Sequence, residues 1–301
     1  MTTVAVIGSH SVLFQPIVKA LRQASNVKFP IRAVTRKIGA SDVSDDKVKY
    51  YEATTDDDKT YDPILTGTDV VINLLPPSVE ESKYNSILNS IERIGVKNFK
   101  FYIPSQFGVD LSEFPFPSLA RTKQQHSEKA RKLGLKTVDV FTSYFVNKGG
   151  FLDTILAHLG YQGDNKVIIR GDPDEPFNVS HVDDIGLSLA SLINNVDPAS
   201  VPDTLRIYSD RVSQKEFYDA YEKRHNVKLE RSYESKEEAL RKANEKLNSG
   251  EPFNPADFLY YLNVGVSQSP EGGFAFKGDG RDIVNPGEKY FKWRKFANFY
   301  D

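Results

Sequence analysis

The chain has no cysteine among its 301 residues, one methionine and one tryptophan. Without cysteine there is no disulfide framework, no thiolate nucleophile and no zinc site built on sulfur. A charge excess is missing too: 39 Lys and Arg stand against 41 Asp and Glu, for a net charge of −2. A general nucleic-acid binder carries a basic surplus to meet phosphates, so no nucleic-acid partner is expected. No stretch approaches the ~18 consecutive apolar residues of a membrane span, and no membrane partner is expected either. The opening MTTVAVIGSHSVLF carries no basic segment ahead of its apolar run. No secretory signal is therefore expected, and the expected location is cytoplasmic, with the nucleus left open. His10, His126, His158, His181 and His225 show neither HxxxH nor HExxH spacing, so no metal is expected. A Gly-x-Ser-x-Gly elbow is also absent, which leaves a Ser–His–Asp hydrolase unsupported.

What is present is core-forming material. Hydrophobic residues make up 39% and aromatics 12%, enough to exclude wholesale disorder. Short apolar runs at Thr3–Ile7, Ile31–Thr35, Val48–Tyr51, Val70–Leu74, Phe99–Ile103 and Thr137–Phe141 alternate with helical segments near 14–24, 59–66, 79–94 and 116–133. That alternation predicts right-handed crossovers and a parallel sheet covered on both faces. The expected fold is α/β, a doubly wound parallel sheet of Rossmann type with a smaller C-terminal α/β substrate lobe. The dinucleotide-binding domain is placed at 1–145, its sheet completed by segments within 146–210, and the lobe at 146–301. In the second half Val167–Ile169 and Leu205–Tyr208 read as strands and Val182–Leu192 as a helix. Ser213–Arg224 and Ser235–Gly250 read as helices, each opened by a serine cap with Glu216 or Glu238 three residues on. The aromatic tail Tyr290–Tyr300 reads as a C-terminal helix docked on the core.

The first strand runs into Gly8-Ser-His-Ser11-Val-Leu-Phe14. A dinucleotide-binding turn places glycines here for a tight turn, close approach to the pyrophosphate and close helix packing. Only Gly8 is kept; Ser11 and Phe14 occupy the second and third positions. Ser11 can cap the helix and offer a hydroxyl to phosphate. Phe14 puts a large ring where close packing wants none. Because Pro16 is tolerated only in a first helical turn, the helix is expected to begin near Leu13–Gln15, a start that would let Phe14 swing out of that position. Gly8, His10, Ser11, Val12 and Leu13 are the candidate phosphate-loop residues. The second strand ends in Arg36-Lys37, where a cation favours the 2′-phosphate of NADP over a bare ribose. The fourth ends Asn73-Leu74-Leu-Pro-Pro77, a candidate wall for adenine and ribose.

The segment Pro104-Ser105-Gln106-Phe107-Gly108 resembles the strand-and-loop signature of the NmrA-like, isoflavone reductase-like family of atypical short-chain dehydrogenases. Gly67-Thr-Asp-Val-Val-Ile-Asn73, Gly171-Asp172 and Val182-Asp183-Asp184-Ile185 resemble further family segments, so the likeness spans roughly residues 3–190. The resemblance implies an NADP(H) cofactor and places Lys123 where the family carries its active-site lysine. Pro104 and Lys123 join the cofactor-binding set, Lys123 and Ser105 form the catalytic set, and Phe107, Phe145 and Asn147 line the substrate pocket. Leu119 stands four residues before Lys123, so the usual Tyr-x-x-x-Lys pair is absent. The expected function is an NADPH-dependent reductase of a small, aromatic or conjugated compound. The alternative is a non-catalytic regulator that senses NAD(P) or binds a protein partner, a role some family members hold.

Overall fold

The computed structural model describes residues 1–76, 81–146 and 151–299. Its frame is a parallel sheet of β1 (Thr2–Ile7), β2 (Val27–Thr35), β3 (Val48–Glu52), β4 (Val70–Asn73) and β5 (Phe101–Ile103), in the order β3-β2-β1-β4-β5. The connections are α1 (Phe14–Leu21), α2 (Asp62–Leu65), α3 (Glu81–Tyr84) with α4 (Ser86–Ile94), and α5 (Pro117–Lys132) leading to β6 (Asp139–Phe141). Strand order reverses between β1 and β4, which opens a crevice at their carboxyl ends. β1 is buried along its whole length because both faces are covered. Val4 and Val6 point into a core with Phe14 and Ile17 of α1, while Ala5 and Ile7 point into a second with Ile64, Leu65 and Ile87. The sequence run VAVI is continuous for that reason: alternate residues serve opposite cores.

The chain continues through β7 (Tyr144–Val146), α6 (Phe151–His158), β8 (Tyr161–Gly163), β9 (Lys166–Arg170), β10 (Pro176–His181) and α7 (Val182–Asn195). Then come β11 (Thr204–Arg206), β12 (Asp210–Ser213), α8 (Gln214–His225), β13 (Glu230–Glu234), α9 (Lys236–Leu247), α10 (Phe258–Ser267) and α11 (Arg281–Val284). A single parallel bridge from Thr137 to Tyr102 leads the first sheet toward β6, which pairs in parallel with β11. Two smaller sheets, β12-β10-β7 and β13-β9-β8, frame the other half. Its core gathers Phe116, Tyr144, Ile155, Val179, Phe217, Tyr261 and Phe274. Ile185, Leu189 and Leu192 of α7 and Leu205, from the stretch 146–210, pack with the first sheet, and so do Val284 and Trp293 from farther along the chain.

Both serine-capped helices form. Ser213 accepts from the Glu216 amide at 3.2 Å while Glu216 accepts from the Ser213 amide at 2.8 Å, and Ser235 accepts from the Glu238 amide at 3.2 Å. The segment expected as one helix over 79–94 divides into α3 and α4, and 59–66 is a 3-10 turn, Asp58–Tyr61, leading into α2. The tail departs from expectation. Its helical spacing of aromatics gives only a short 3-10 turn at Phe296–Asn298, because the rings serve different cores. Trp293 joins the sheet's core and Phe299 the other, with Arg294 clamped on Asp183 and Asp184 at the start of α7. Tyr300 lies outside the described residues.

Candidate functional site

The crevice is built on the turn after β1. Gly8 holds φ at +99°, and a Cβ there would come within 3.3 Å of the Leu74 backbone carbon, so only glycine suits the position. Its amide donates to Val34 at 2.9 Å and its carbonyl accepts from Ser11 at 3.0 Å. Ser11 organises the helix entry: its hydroxyl accepts from the Leu13 amide at 3.3 Å and its carbonyl from Phe14 at 3.0 Å. α1 starts at Phe14, within the window that Pro16 demanded.

Phe14 does not swing out. It is fully buried beneath α1, its ring 6.0 Å from that of Tyr50. On its other side α1 makes a close approach to α7 at Gly186. A Cβ on Gly186 would lie 2.4 Å from the Pro16 carbonyl oxygen and 2.6 Å from its carbon. Helix α1 thus rests on a glycine of a different helix, and the ring fills the space below.

The resulting groove encloses about 580 Å³. It is lined by Gly8, Ser9, His10, Ser11 and Val12, by Arg36 and Lys37 after β2, by Thr55 and Tyr61, and by Leu74, Leu75 and Pro76. The side chains of Arg36 and Lys37 make no hydrogen bond or ion pair among the described residues; two cations face the groove, with Asp56 in electrostatic reach of Arg36. The hydroxyl of Ser9 is buried and unpartnered at the same place. Such a buried donor calls for an acceptor, and the amides at the start of α1 add the positive end of a helix.

Leu13 is buried in the core and does not line the groove. Asn73 is also fully buried, and it acts through its neighbours. Its oxygen accepts from the Leu75 amide at 2.9 Å, fixing the groove wall, while its nitrogen donates to Tyr102 at 2.9 Å. Tyr102 donates in turn to His126 at 2.7 Å, and the other ring nitrogen of His126 donates to Asn85 at 2.9 Å. Burial lowers the His126 pKa to about 4, so the imidazole is neutral and both nitrogens are used.

A second cavity, about 440 Å³, adjoins the groove, and Val12 belongs to both walls. Phe107, Leu111, Phe114, Leu119, Phe145, Phe258, Leu262 and Phe274 make it apolar, and Lys123 enters it from α5. The lysine keeps some access to the cavity, but loss of water around its ammonium lowers the pKa to about 8. Gln106 sets the backbone of that turn, donating to the Lys123 carbonyl at 2.7 Å and to Ser127 at 2.5 Å. Ser127 donates to Asp139 at 2.7 Å, and Arg131 holds the other carboxylate oxygen at 2.8 Å. The loop after β5 is therefore bolted to α5 beside Lys123.

Ser105 and Pro104 are buried and line neither cavity; Ser105 faces the Tyr84 phenol. Phe107 and Phe145 do line the apolar cavity, and Asn147 lies outside the described residues. Sequence reasoning missed the walls from Phe114, Tyr144, Ile155, His158, Phe258, Leu262 and Phe274. These come from a loop, β7, α6, α10 and a late loop, and no short motif joins them.

No protein-family model and no curated protein sequence matches this chain. Solved structures do. An isoflavone reductase is 20% identical, with a TM-score of 0.74, covering 99% of this chain and 98% of its own. Pinoresinol-lariciresinol and phenylcoumaran benzylic ether reductases give 20% identity and a TM-score of 0.75, over 100% of this chain and 99% of the matched one. The binary complex of leucoanthocyanidin reductase with NADPH from Vitis vinifera gives 14% and 0.68, over 92% and 89% of the two chains. The fold is therefore that of these reductases, a doubly wound α/β sheet with an attached lobe.

Proposed function

We propose that this chain is an NADPH-dependent reductase of the NmrA-like, isoflavone reductase-like kind, acting on a small, aromatic or conjugated compound. The observation that carries the reading is the junction at Val12. There a groove with a glycine turn, helix start and two cations meets an apolar cavity that holds Lys123. The groove fits a phosphorylated dinucleotide: Gly8 leaves room for the backbone approach, the orphaned Ser9 hydroxyl meets an acceptor, and Arg36 and Lys37 meet a 2′-phosphate. When bound, that cofactor supplies a hydride. NADPH bound to the leucoanthocyanidin reductase of the same fold supports the choice. The alternative, a non-catalytic regulator that senses NAD(P) or binds a protein partner, draws on Ser11 and Phe14; burial of the Phe14 ring in the core, off the groove lining, weighs toward dinucleotide binding.

Within this reading the chain's own residues do three things. The apolar rings desolvate the substrate and strengthen every charge in the cavity. Lys123, an ammonium below its pKa of about 8, stabilises the oxyanion that develops on the substrate and gives it a proton. Gln106 holds the Lys123 turn in place and acts as a positioning residue. The test combines calorimetric titration of NADPH and NADH with NADPH oxidation across a panel of conjugated carbonyl compounds. The expected result is tight NADPH binding, turnover lost in Lys123→Met, and a wild-type rate that falls as pH rises through about 8. Tight NADPH binding with no turnover on any member would leave the regulator reading in its place.

A further inference from the structure

The apolar cavity contains a cation and, among the described residues, no anion. Its titratable lining is Lys123, Tyr144 and His158. Tyr144 is held protonated, its pKa pushed well up by burial, and His158 is held neutral, its pKa lowered by burial to about 4. The Lys123 ammonium makes no hydrogen bond or ion pair among the described residues, and burial alone shifts its pKa to about 8. The carboxylates on the elements packed around it are already committed. Asp139 is held by Ser127 and by Arg131 at 2.8 Å, and Asp110 by Arg206 at 2.6 Å and by Ser112 at 2.7 Å. Gln106 spends its amide nitrogen on the Lys123 carbonyl and Ser127, and its amide oxygen, an acceptor, is left without a partner.

An ammonium surrounded by phenylalanine and leucine, with no counter-ion, is an unbalanced site. A ligand that brings its own negative charge together with a flat apolar body corrects both deficits at once. A cationic ligand would meet like charge, and a polyanion would leave charge stranded among the rings.

We propose that the cavity binds small aromatic monoanions of the aryl carboxylate class, with the ring between Phe107, Leu119, Phe145 and Phe274 and the carboxylate on Lys123. The inference rests on reading this cavity as the substrate site and adds the charge class it selects, but its test needs neither nucleotide nor turnover.

The experiment is calorimetric titration of the nucleotide-free full chain at pH 7 with 2-naphthoate and with its neutral isostere 2-naphthamide. The expected result is naphthoate binding at least ten-fold tighter than naphthamide. Lys123→Met should remove that preference while leaving naphthamide within two-fold, and Lys123→Arg should keep it. At pH 8.5, above the Lys123 pKa, naphthoate binding should also take up protons, read as a heat that changes between phosphate and Tris buffers. Equal affinities for acid and amide, no binding of either probe, or naphthoate affinity unchanged in Lys123→Met would each overturn the proposal. Because the wild-type comparison stands without any variant, misfolding of Lys123→Met cannot shelter it. Failure here with NADPH turnover intact would leave the reductase reading standing, and the converse result would remove only the reductase.

Discussion

Replacing Gly186 with alanine sets two physical effects of opposite sign against each other. Gly186 lies inside α7, and glycine-to-alanine in a helix interior normally stabilises by about 1 kcal/mol. Here the added methyl would sit 2.4 Å from the Pro16 carbonyl oxygen, 2.6 Å from its carbon and 3.0 Å from the Ile17 nitrogen. Backbone cannot turn aside as a side chain can, so α1 must lift by about an ångström to restore ordinary contact. Overpacking of that kind costs about 1–3 kcal/mol, and lifting α1 also loosens Phe14 and Ile17 in the core beneath it. The clash should win, for a net loss of about 1–2 kcal/mol and a fall in Tm of roughly 2–4 °C. Because α1 carries the start of the phosphate loop, NADPH affinity should fall with it, on the order of ten-fold. Differential scanning calorimetry and nucleotide titration on the same preparation read both effects. A Gly186→Ala protein that is more stable than wild type and binds NADPH unchanged would refute the claim that this close approach holds α1 and its loop in place.

Other outcomes follow from the same geometry. Arg36→Ala should weaken NADPH by about one to two orders of magnitude through loss of a charge-assisted hydrogen bond, and leave NADH nearly untouched; equal losses in parallel titrations would show that it does not read the phosphate. Phe14→Ala should destabilise by about 3–5 kcal/mol, as a fully buried ring is removed, without tightening NADPH; denaturant unfolding checks the first and calorimetry the second. Acid should destabilise the protein through His126, whose pKa of about 4 in the folded state lies below the ordinary value of 6.5. Between those values the unfolded chain binds the extra proton, so stability falls as pH drops from about 6.5 to 4, by up to ~3 kcal/mol from this group. His126→Phe should make that part of the pH–stability curve shallower, leaving the share of His158, also lowered to about 4 by burial, even though it strands Tyr102 and Asn85 and lowers stability at pH 7.

The sequence by itself determined the sheet and the place of the groove. VAVI, IRAVT and VVIN are short apolar runs buried on both faces, and such runs separated by helical segments admit few arrangements besides a doubly wound sheet. Gly8 was legible because it stands at the turn between the first strand and its helix, and the structure shows there a positive φ hard against Leu74; Pro16 set the start of α1 because its ring fits only the first turn. The pentapeptide at 104–108 located the loop beside the apolar cavity, although only Gln106, Phe107 and Gly108 of it face that cavity. Tertiary structure decided the rest. Phe14 looks like damage in the local motif, yet its ring is buried in the core, and α1 packs closely on Gly186, 172 positions away; no local pattern encodes such a contact. The tail has helical spacing, yet Arg294 is drawn to Asp184 and the rings are divided between two cores, so long-range pairing overrides periodicity. Lys123 reads in sequence as one more solvated cation among Arg121, Lys129 and Arg131. Its character comes from burial beside an apolar cavity that folding assembles from distant segments, Phe258, Leu262 and Phe274 among them, which lowers its pKa.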